Sequence, residues 1–506
     1  MRGYDADVVV VGAGVVGCAI ARELARYDVR VILVEKQADV ATGTTKANTA
    51  IVHAGYDADP GTWKAKLNVR GTELYPALAA ELGVSFKNTG SFVVALAPEQ
   101  VDHLLELKAR GERNGVPGLE IISGDRLRER EPAVSRDAVA ALWAPTAGIT
   151  SPWELAIACA ENAVENGVEL LLDSPVLGMQ VAGGRIVTVS VPGATIRTRF
   201  VVNAAGVDAD AVARMAGQDD FSLAPRKGEY YVYDRRIGDF VRTPLFPVPT
   251  AVSKGILVAP TVDGNLLAGP NSQEVEDCHD LGTTLSGLQE VLAGATRLVP
   301  TLPIRDSIAT FAGLRAIARP GNDFVIGPSP AAPNLINAAG MQSPGLTAAP
   351  AVALVVLDAL SDAGLDLIPK PDFNPYRARP IRFSELSREE QARLVASDPR
   401  WGQIVCRCET VTEAEIVDAL HRPVPCTTVD GVKRRTRAGT GRCQGGFCGP
   451  RVVALIAREL GMGMDEVTKK GGMSRVLAGR TKDPLLGQET GVGAEERARE
   501  EVMSRA

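Results

Sequence analysis

The chain has 506 residues, 45% of them hydrophobic and 23% charged, which suits about three compact domains and excludes a largely disordered chain. A net charge of −6 argues against a nucleic-acid binder, and eight cysteines in so long a chain do not make a disulfide scaffold. No early stretch joins a basic start to an apolar run and a cleavage site, and the longest apolar runs, such as residues 348–360, stop short of a membrane span. The expectation is a cytoplasmic protein with no transmembrane segment, compatible with peripheral membrane association.

The first thirty-six residues predict a strand, turn, helix, strand unit. Residues 8–11 are a run of four valines suited to a strand buried on both faces; Ala19, Ile20, Leu24 and Ala25 recur at helical spacing; residues 29–34 form a second apolar run. Helices are predicted over 64–82, 98–114 and 152–166, the last followed by a strand-like run at 168–172. From about 176 to 270 the pattern shortens to strands and turns, with Asp263-Gly264 as a hairpin signal. A buried strand returns at 334–339 and a helix at 350–360. Residues 369–382 hold four prolines and read as an extended connection. The last stretch, GAEERAREEVMSRA, reads as a marginal helix or a frayed tail.

The fold class is therefore α/β and α+β. A Rossmann-like nucleotide-binding domain contains an inserted antiparallel-sheet substrate domain, and a small helical domain follows. The boundaries are 1–368 for the first domain, a linker at 369–402, the small domain at 403–460 and a tail at 461–506. Within the first domain, about 1–90, 145–215 and 310–368 form the nucleotide-binding parts; about 85–145 and 215–310 form the insertion.

Gly12, Gly14 and Gly17 make the G-x-G-x-x-G turn between the first strand and helix, with Ala13 and Val16 inside it. The first glycine permits the tight turn, the second lets backbone approach a pyrophosphate, and the third lets helix pack on strand. Glu35, followed by Lys36, ends the second strand, where a carboxylate accepts ribose hydroxyls and disfavours a 2′-phosphate. FAD and NAD share that ADP half. Two later close approaches favour the longer FAD: VVNAAG, ending on Ala205 and Gly206, and GMQSPGLTAAPA, with Gly340, Gly345, Leu346 and Thr347. Val176 completes the candidate cofactor set.

Five stretches, VVVVGAGVVG, TGTTKANTAIVHAGYDADPGTWKAK, APRKGEYYV, FAGLRAI and GMQSPGLT, resemble the FAD-dependent oxidoreductases of the D-amino-acid oxidase superfamily. The likeness covers residues 1 to about 360 and is nearest to glycerol-3-phosphate and L-2-hydroxyglutarate dehydrogenases. It implies that a 2-hydroxy or amino carbon gives hydride to the flavin while its hydroxyl or amine gives up a proton. Arg315 matches the arginine that binds a substrate phosphate or carboxylate; its apolar neighbours weigh against an ordinary surface arginine. His53 in IVHAGY matches a histidine near the flavin and is the candidate base, with a satisfied core histidine as the competing reading. His103, His279 and His421 lie in charged or terminal contexts. Thr44, Thr45 and Lys46 resemble the segment that passes the flavin, and Arg226 and Lys227 add positive charge to the substrate domain.

Five cysteines lie between 406 and 448. Cys406 and Cys408 form a C-x-C, and Cys443 and Cys448 a C-x-x-x-x-C. Two such pairs can hold a [2Fe-2S] cluster; zinc is the rival, although its pairs usually have two to four intervening residues. Thr412 and Glu415 make a capping box that starts a helix at 413–421, and Cys426 is read as a packed thiol. CRCETVTEAEI and GRCQGGFCGP resemble the [2Fe-2S] domain of bacterioferritin-associated ferredoxin. Lys433, Arg434, Arg435 and Arg437 are a solvated face or a docking site for an acidic redox partner.

Together these readings predict an FAD-dependent dehydrogenase of a small anionic 2-hydroxy compound, with glycerol 3-phosphate, oxidised to dihydroxyacetone phosphate, as first choice. Electrons leave through the cluster to a redox partner protein or quinone. L-2-hydroxyglutarate or another 2-hydroxy acid is the near alternative. A non-catalytic electron-transfer or iron-handling flavoprotein is the alternative of another class.

Overall fold

The valine run predicted as a buried strand forms Arg2–Val11, in which Val8, Val9 and Val10 have no solvent exposure. The computed structural model of the chain describes residues 2–249, 255–479 and 481; the charged stretch GAEERAREEVMSRA lies outside them. Arg2–Val11 pairs in parallel with Val31–Val34 on one side and with Ala194–Asn203 on the other. Glu169–Leu171 extends one edge, and Leu335–Ala339 pairs in parallel with the end of Ala194–Asn203. Antiparallel strands Gly178–Ala182, Arg185–Val191 and Val325–Pro328 complete an eight-stranded sheet. The paired parallel stretches 8–11, 31–34 and 200–202 are apolar and buried, as suits strands covered by helices, among them Val15–Leu24, Pro152–Glu165 and Gly345–Asp362.

Gly345–Asp362 is longer than the apolar run predicted for it. Its length and composition would allow a membrane crossing, yet 61% of its apolar window is buried, as in the core helix of a globular unit. Trp63–Leu82 lies against it so closely that a Cβ on Gly71 would sit 2.0 Å from the Thr347 carbonyl oxygen.

The second sheet has nine strands. Its longest pairing is antiparallel, Ser222–Tyr233 against Ser307–Arg319, and the Asp263-Gly264 turn joins Leu257–Pro260 to Leu266–Gly269. Leu245–Pro247 pairs in parallel with Ser91–Ala95, which ties the two inserted chain segments into one sheet.

The chain divides into two units, residues 1–379 and 380–506. The proline-rich stretch expected as part of an extended linker is anchored to the first unit at 369–379. Arg377 is 7% exposed and its guanidinium pairs with Glu161, which has no exposure. Arg22 donates to the Pro375 carbonyl at 3.2 Å, and Asn162 to that of Asn374 at 3.0 Å. The rest of the expected linker is folded in the second unit, where helix Arg388–Ser397 begins with a capping box of Ser387 and Glu390. That unit buries Val405, Ile416, Leu420, Val432, Val452 and Ile456 between helices Glu413–His421, Val429–Thr436 and Gly449–Leu460.

Arg377→Ala removes the guanidinium that pairs with the buried Glu161 carboxylate. Urea unfolding should show a loss of roughly 3–5 kcal/mol in the first unit. A free linker at this position predicts no change.

Candidate functional site

The glycine turn lies at the carboxyl ends of the central parallel strands. Gly12 has φ 98°, and a Cβ on it would lie 2.6 Å from the Ala204 carbonyl oxygen; one on Gly17 would lie 1.9 Å from the Gly12 oxygen. Helix Val15–Leu24 starts there with no acidic residue in its first turn, and the Val15 N–H donates to the Thr45 hydroxyl at 2.9 Å. Glu35, 8% exposed, accepts from the Ala13 and Gln37 N–H groups at 2.8 and 2.9 Å. Burial pushes its carboxyl pKa up, and those backbone bonds oppose the shift. Val176 and Ala205 pack, half-buried, on the cluster that contains Val9, Val11 and Val34. Gly206 follows at φ 63°, Val16 is buried in the helix, and Lys36 pairs with Asp208 at 2.7 Å. A pyrophosphate needs this close backbone approach and uncapped helix N–H groups, and a ribose needs an acceptor such as Glu35. The residues present fit the ADP half of a dinucleotide.

His53 and Arg315 line one cavity of about 530 Å³. Thr44, Gly345 and Leu346 line it too; Thr45, Gly340 and Thr347 are not among its lining residues. The His53 N–H donates to the Thr347 hydroxyl at 3.0 Å, and its carbonyl accepts from Thr72 at 2.7 Å and from Asn68. These three anchors fix the backbone while the ring faces the cavity, its Nε2 3.5 Å from the Ser343 hydroxyl and its centroid 5.8 Å from that of Phe246. Tyr75 holds the neighbouring turn by donating to the Leu346 carbonyl at 3.0 Å.

Arg315 stands on strand Ser307–Arg319, with Nη2 3.3 Å from the Asn271 carbonyl and Nη1 3.5 Å from the Ser272 hydroxyl. Directly opposite it on the paired strand is Arg226, which lines the same cavity and pairs with Glu274 at 2.8 Å. Like charges directly opposite are unfavourable unless an anion joins them. Tyr230 also lines the cavity, stacked on Phe311 with centroids 4.4 Å apart; burial pushes its phenol pKa up and the Arg315 guanidinium partly offsets this. Lys227 is elsewhere: its ammonium is buried, 2.6 Å from Asp280. Ser343 and Tyr230 sit within stretches already quoted from the sequence, but neither has a spacing signature of its own.

In the second unit Cys406 and Cys448 are buried, whereas Cys408 and Cys443 are exposed with sulfurs 3.4 Å apart. The Cys448 thiol donates to Cys406 and, as the largest cause, brings its pKa down to about 6; backbone N–H groups of Gly439 and Glu409 add to the effect. The N–H groups of Phe447 and Gly445 likewise lower Cys443. A Cβ on Gly441 would lie 2.5 Å from the Cys408 Cβ, so this loop closes over the thiols only as glycine. Four thiols in two pairs, aided by backbone donors, fit a [2Fe-2S] cluster. Cys426 is a packed thiol, donating to the Ala419 carbonyl at 3.3 Å.

The model of the FAD dependent oxidoreductase family matches residues 7–359, and that of the BFD-like [2Fe-2S] binding domain matches residues 404–458. A glycerol 3-phosphate dehydrogenase of Caloramator mitchellensis is 47% identical over 95% of this chain and 99% of its own length. The L-2-hydroxyglutarate dehydrogenase of Homo sapiens is 30% identical over 53% of this chain and 60% of its own. Among solved structures, the dithionite-reduced L-alpha-glycerophosphate oxidase of Mycoplasma pneumoniae with FAD bound superposes with a TM-score of 0.71, at 31% identity over 74% of this chain and 99% of that one.

Gly17→Ala forces a Cβ against the Gly12 carbonyl, overpacking that costs roughly 1–3 kcal/mol. The variant should purify with less FAD per chain, read from flavin absorbance, and with its iron content unchanged. Equal loss of both would instead mark general unfolding.

Proposed function

Since this chain belongs to the FAD dependent oxidoreductase family and carries a BFD-like [2Fe-2S] binding domain, we propose that it oxidises glycerol 3-phosphate to dihydroxyacetone phosphate. The observation that carries this reading is the cross-strand pair Arg226 and Arg315 in the same cavity as His53. Two adjacent guanidiniums suit a dianionic phosphate, because each presents a planar fork of donors. The identity of the Caloramator mitchellensis dehydrogenase across 95% of the chain supports the same substrate.

Gly12, Gly14, Gly17 and Glu35, with Ala13, Val16, Lys36, Thr45, Val176, Ala205 and Gly206 around them, would hold the ADP half of FAD. Thr44, Gly340, Gly345, Leu346 and Thr347 would hold its ring end. When bound, FAD supplies a hydride acceptor. Arg315 and Arg226 would then hold the phosphate, and the His53 Nε2 would take the proton of the C2 hydroxyl. Ser343 orients that ring, and the bonds from Thr347, Thr72 and Asn68 keep it from withdrawing. A cavity equipped with a base and an anion clamp favours an enzyme over a non-catalytic electron relay. Cys406, Cys408, Cys443 and Cys448 would hold the cluster, which when bound would supply one-electron transfer to a redox protein or quinone, and the cytoplasm is the proposed location.

Adding glycerol 3-phosphate without oxygen should bleach the flavin absorbance. Bleaching by L-2-hydroxyglutarate and not by glycerol 3-phosphate would overturn the substrate.

Arg315→Ala should raise KM by roughly ten- to a hundredfold, the loss expected for a charge-assisted hydrogen bond, while FAD stays bound. An unchanged KM would remove Arg315 from the anion site. His53→Gln should lower kcat by about 10²–10⁴ with little change in KM, and the acidic limb of the kcat/KM profile should disappear. Retention of that limb would assign the proton to another group.

A further inference from the structure

The basic run at 433–437, one candidate for partner docking, is largely committed to the interior of its own unit. Arg437 pairs with buried Glu409 at 2.7 Å, and Arg435 donates to the Val424 carbonyl at 3.0 Å and the Gly431 carbonyl at 3.3 Å. The solvent-facing charge lies instead around the thiols. Arg407, Arg442 and Arg451 are exposed, as are Cys408 and Cys443, while Cys406 and Cys448 are not. A group held by these four thiols therefore has one outward edge, at Cys408 and Cys443.

Phe447 is exposed beside that edge, at 45%, and is the one large exposed apolar side chain among the described residues between 396 and 463. Arg407 lies over its ring at 4.5 Å and Arg451 at 5.5 Å. Between Asp430 and Glu459 the sequence has seven lysines and arginines and no acidic residue, in a chain whose net charge is −6. An aromatic anchor flanked by arginines is the composition of an interface centre, and charge complementarity steers short-lived redox complexes.

We propose that this face, formed by Phe447, Arg407 and Arg451 beside Cys408 and Cys443, docks a separate one-electron carrier protein with an acidic surface around its redox centre. One electron leaves the reduced cluster and enters the carrier's oxidised centre; no bond forms or breaks, and two carriers are reduced for each two-electron oxidation. A membrane surface would call for several apolar side chains on one face. Here a single ring is present, and guanidinium groups cover it.

The test uses the full chain carrying both cofactors, reduced with one equivalent of dithionite so that the result does not depend on the substrate reading. The acceptors are native cytochrome c, which is basic, and succinylated cytochrome c, which has the same haem and an acidic surface. The succinylated form should be reduced faster, with an advantage that shrinks as salt rises. Arg451→Glu and, separately, Arg407→Glu should slow it about tenfold at low ionic strength, a change typical of lost electrostatic steering. Both variants must keep the visible and EPR spectra of the cluster, and Arg451→Gln serves if charge reversal disturbs them. Sedimentation of the oxidised protein with succinylated cytochrome c should show a low-salt complex that these variants lose. Equal rates with the two cytochromes, or unchanged rates in the variants, would overturn the proposal. So would Arg451-dependent pelleting with phosphatidylserine vesicles, which would assign the face to a membrane.

Discussion

The candidate catalytic cavity depends on one contact made by an absent side chain. At Gly313 a Cβ would lie 1.9 Å from the Ala47 carbonyl oxygen, so the strand Ser307–Arg319 can meet the segment after the glycine turn only as glycine. The Thr44 hydroxyl, donating to the Leu314 carbonyl at 2.8 Å, secures the same junction. Side chains alternate along a strand, so Phe311 and Arg315 leave on the face that Gly313 presses against Ala47. Their cross-strand partners are Tyr230 and Arg226, with Gly228 opposite Gly313. Arg315, Arg226 and Tyr230 thus reach one cavity because one glycine sets the face.

The same register explains the parting of Arg226 from Lys227. Lys227 and Glu229 point to the opposite face, where Lys227 meets Asp280 and Glu229 accepts from the backbone and hydroxyl of Thr284 ahead of helix Leu285–Leu298. One face of a single strand equips the cavity while the other anchors a helix. Gly228 belongs to the cavity face, and a Cβ there would lie 3.2 Å from Arg315 Nη2, within the space over which that guanidinium extends. On the far side, Glu274 stands opposite Arg226 and also lies 3.8 Å from Arg319, so its carboxylate is divided between two guanidiniums.

Local patterns are what a sequence displays most openly. The glycine turn, Glu35, the four valines and the Thr412–Glu415 capping box are of this kind, and their local structure follows from them. His53 and Arg315 stand out by resemblance, and their meeting in one cavity is a long-range fact of sheet register. The choice between Arg226 and Lys227 needs that register, because a shift of one residue exchanges the two faces. Residues 369–379 look like a linker for a related reason. Prolines announce an extended chain, but nothing local reveals that Arg377 is buried against Glu161, 216 residues earlier. Helix Arg388–Ser397 is different, since its Ser387–Glu390 capping box is legible in the sequence and is masked only by the prolines that precede it.

The second unit shows why a run of like charge is a poor guide to a surface. A thiolate-held cluster carries negative charge, so cations near it are favoured wherever they stand, and composition alone cannot distinguish a cation that supports the fold from one that faces a partner. Geometry can. Arg437 is bonded to a carboxylate that is 5% exposed, so its charge is committed to the interior of the unit. Arg407 and Arg451 instead lie over an exposed ring, against which cation–π attraction holds the guanidiniums, and Arg451 also donates to the Ile404 carbonyl at 3.4 Å. An exposed guanidinium held against a ring is preorganised to meet a carboxylate, with less rotamer entropy to lose on contact. Electrostatics of one sign thus does two jobs within about forty residues of chain, and which job each cation does follows from whether it is part-buried, as Arg435 and Arg437 are, or exposed, as Arg407 and Arg451 are.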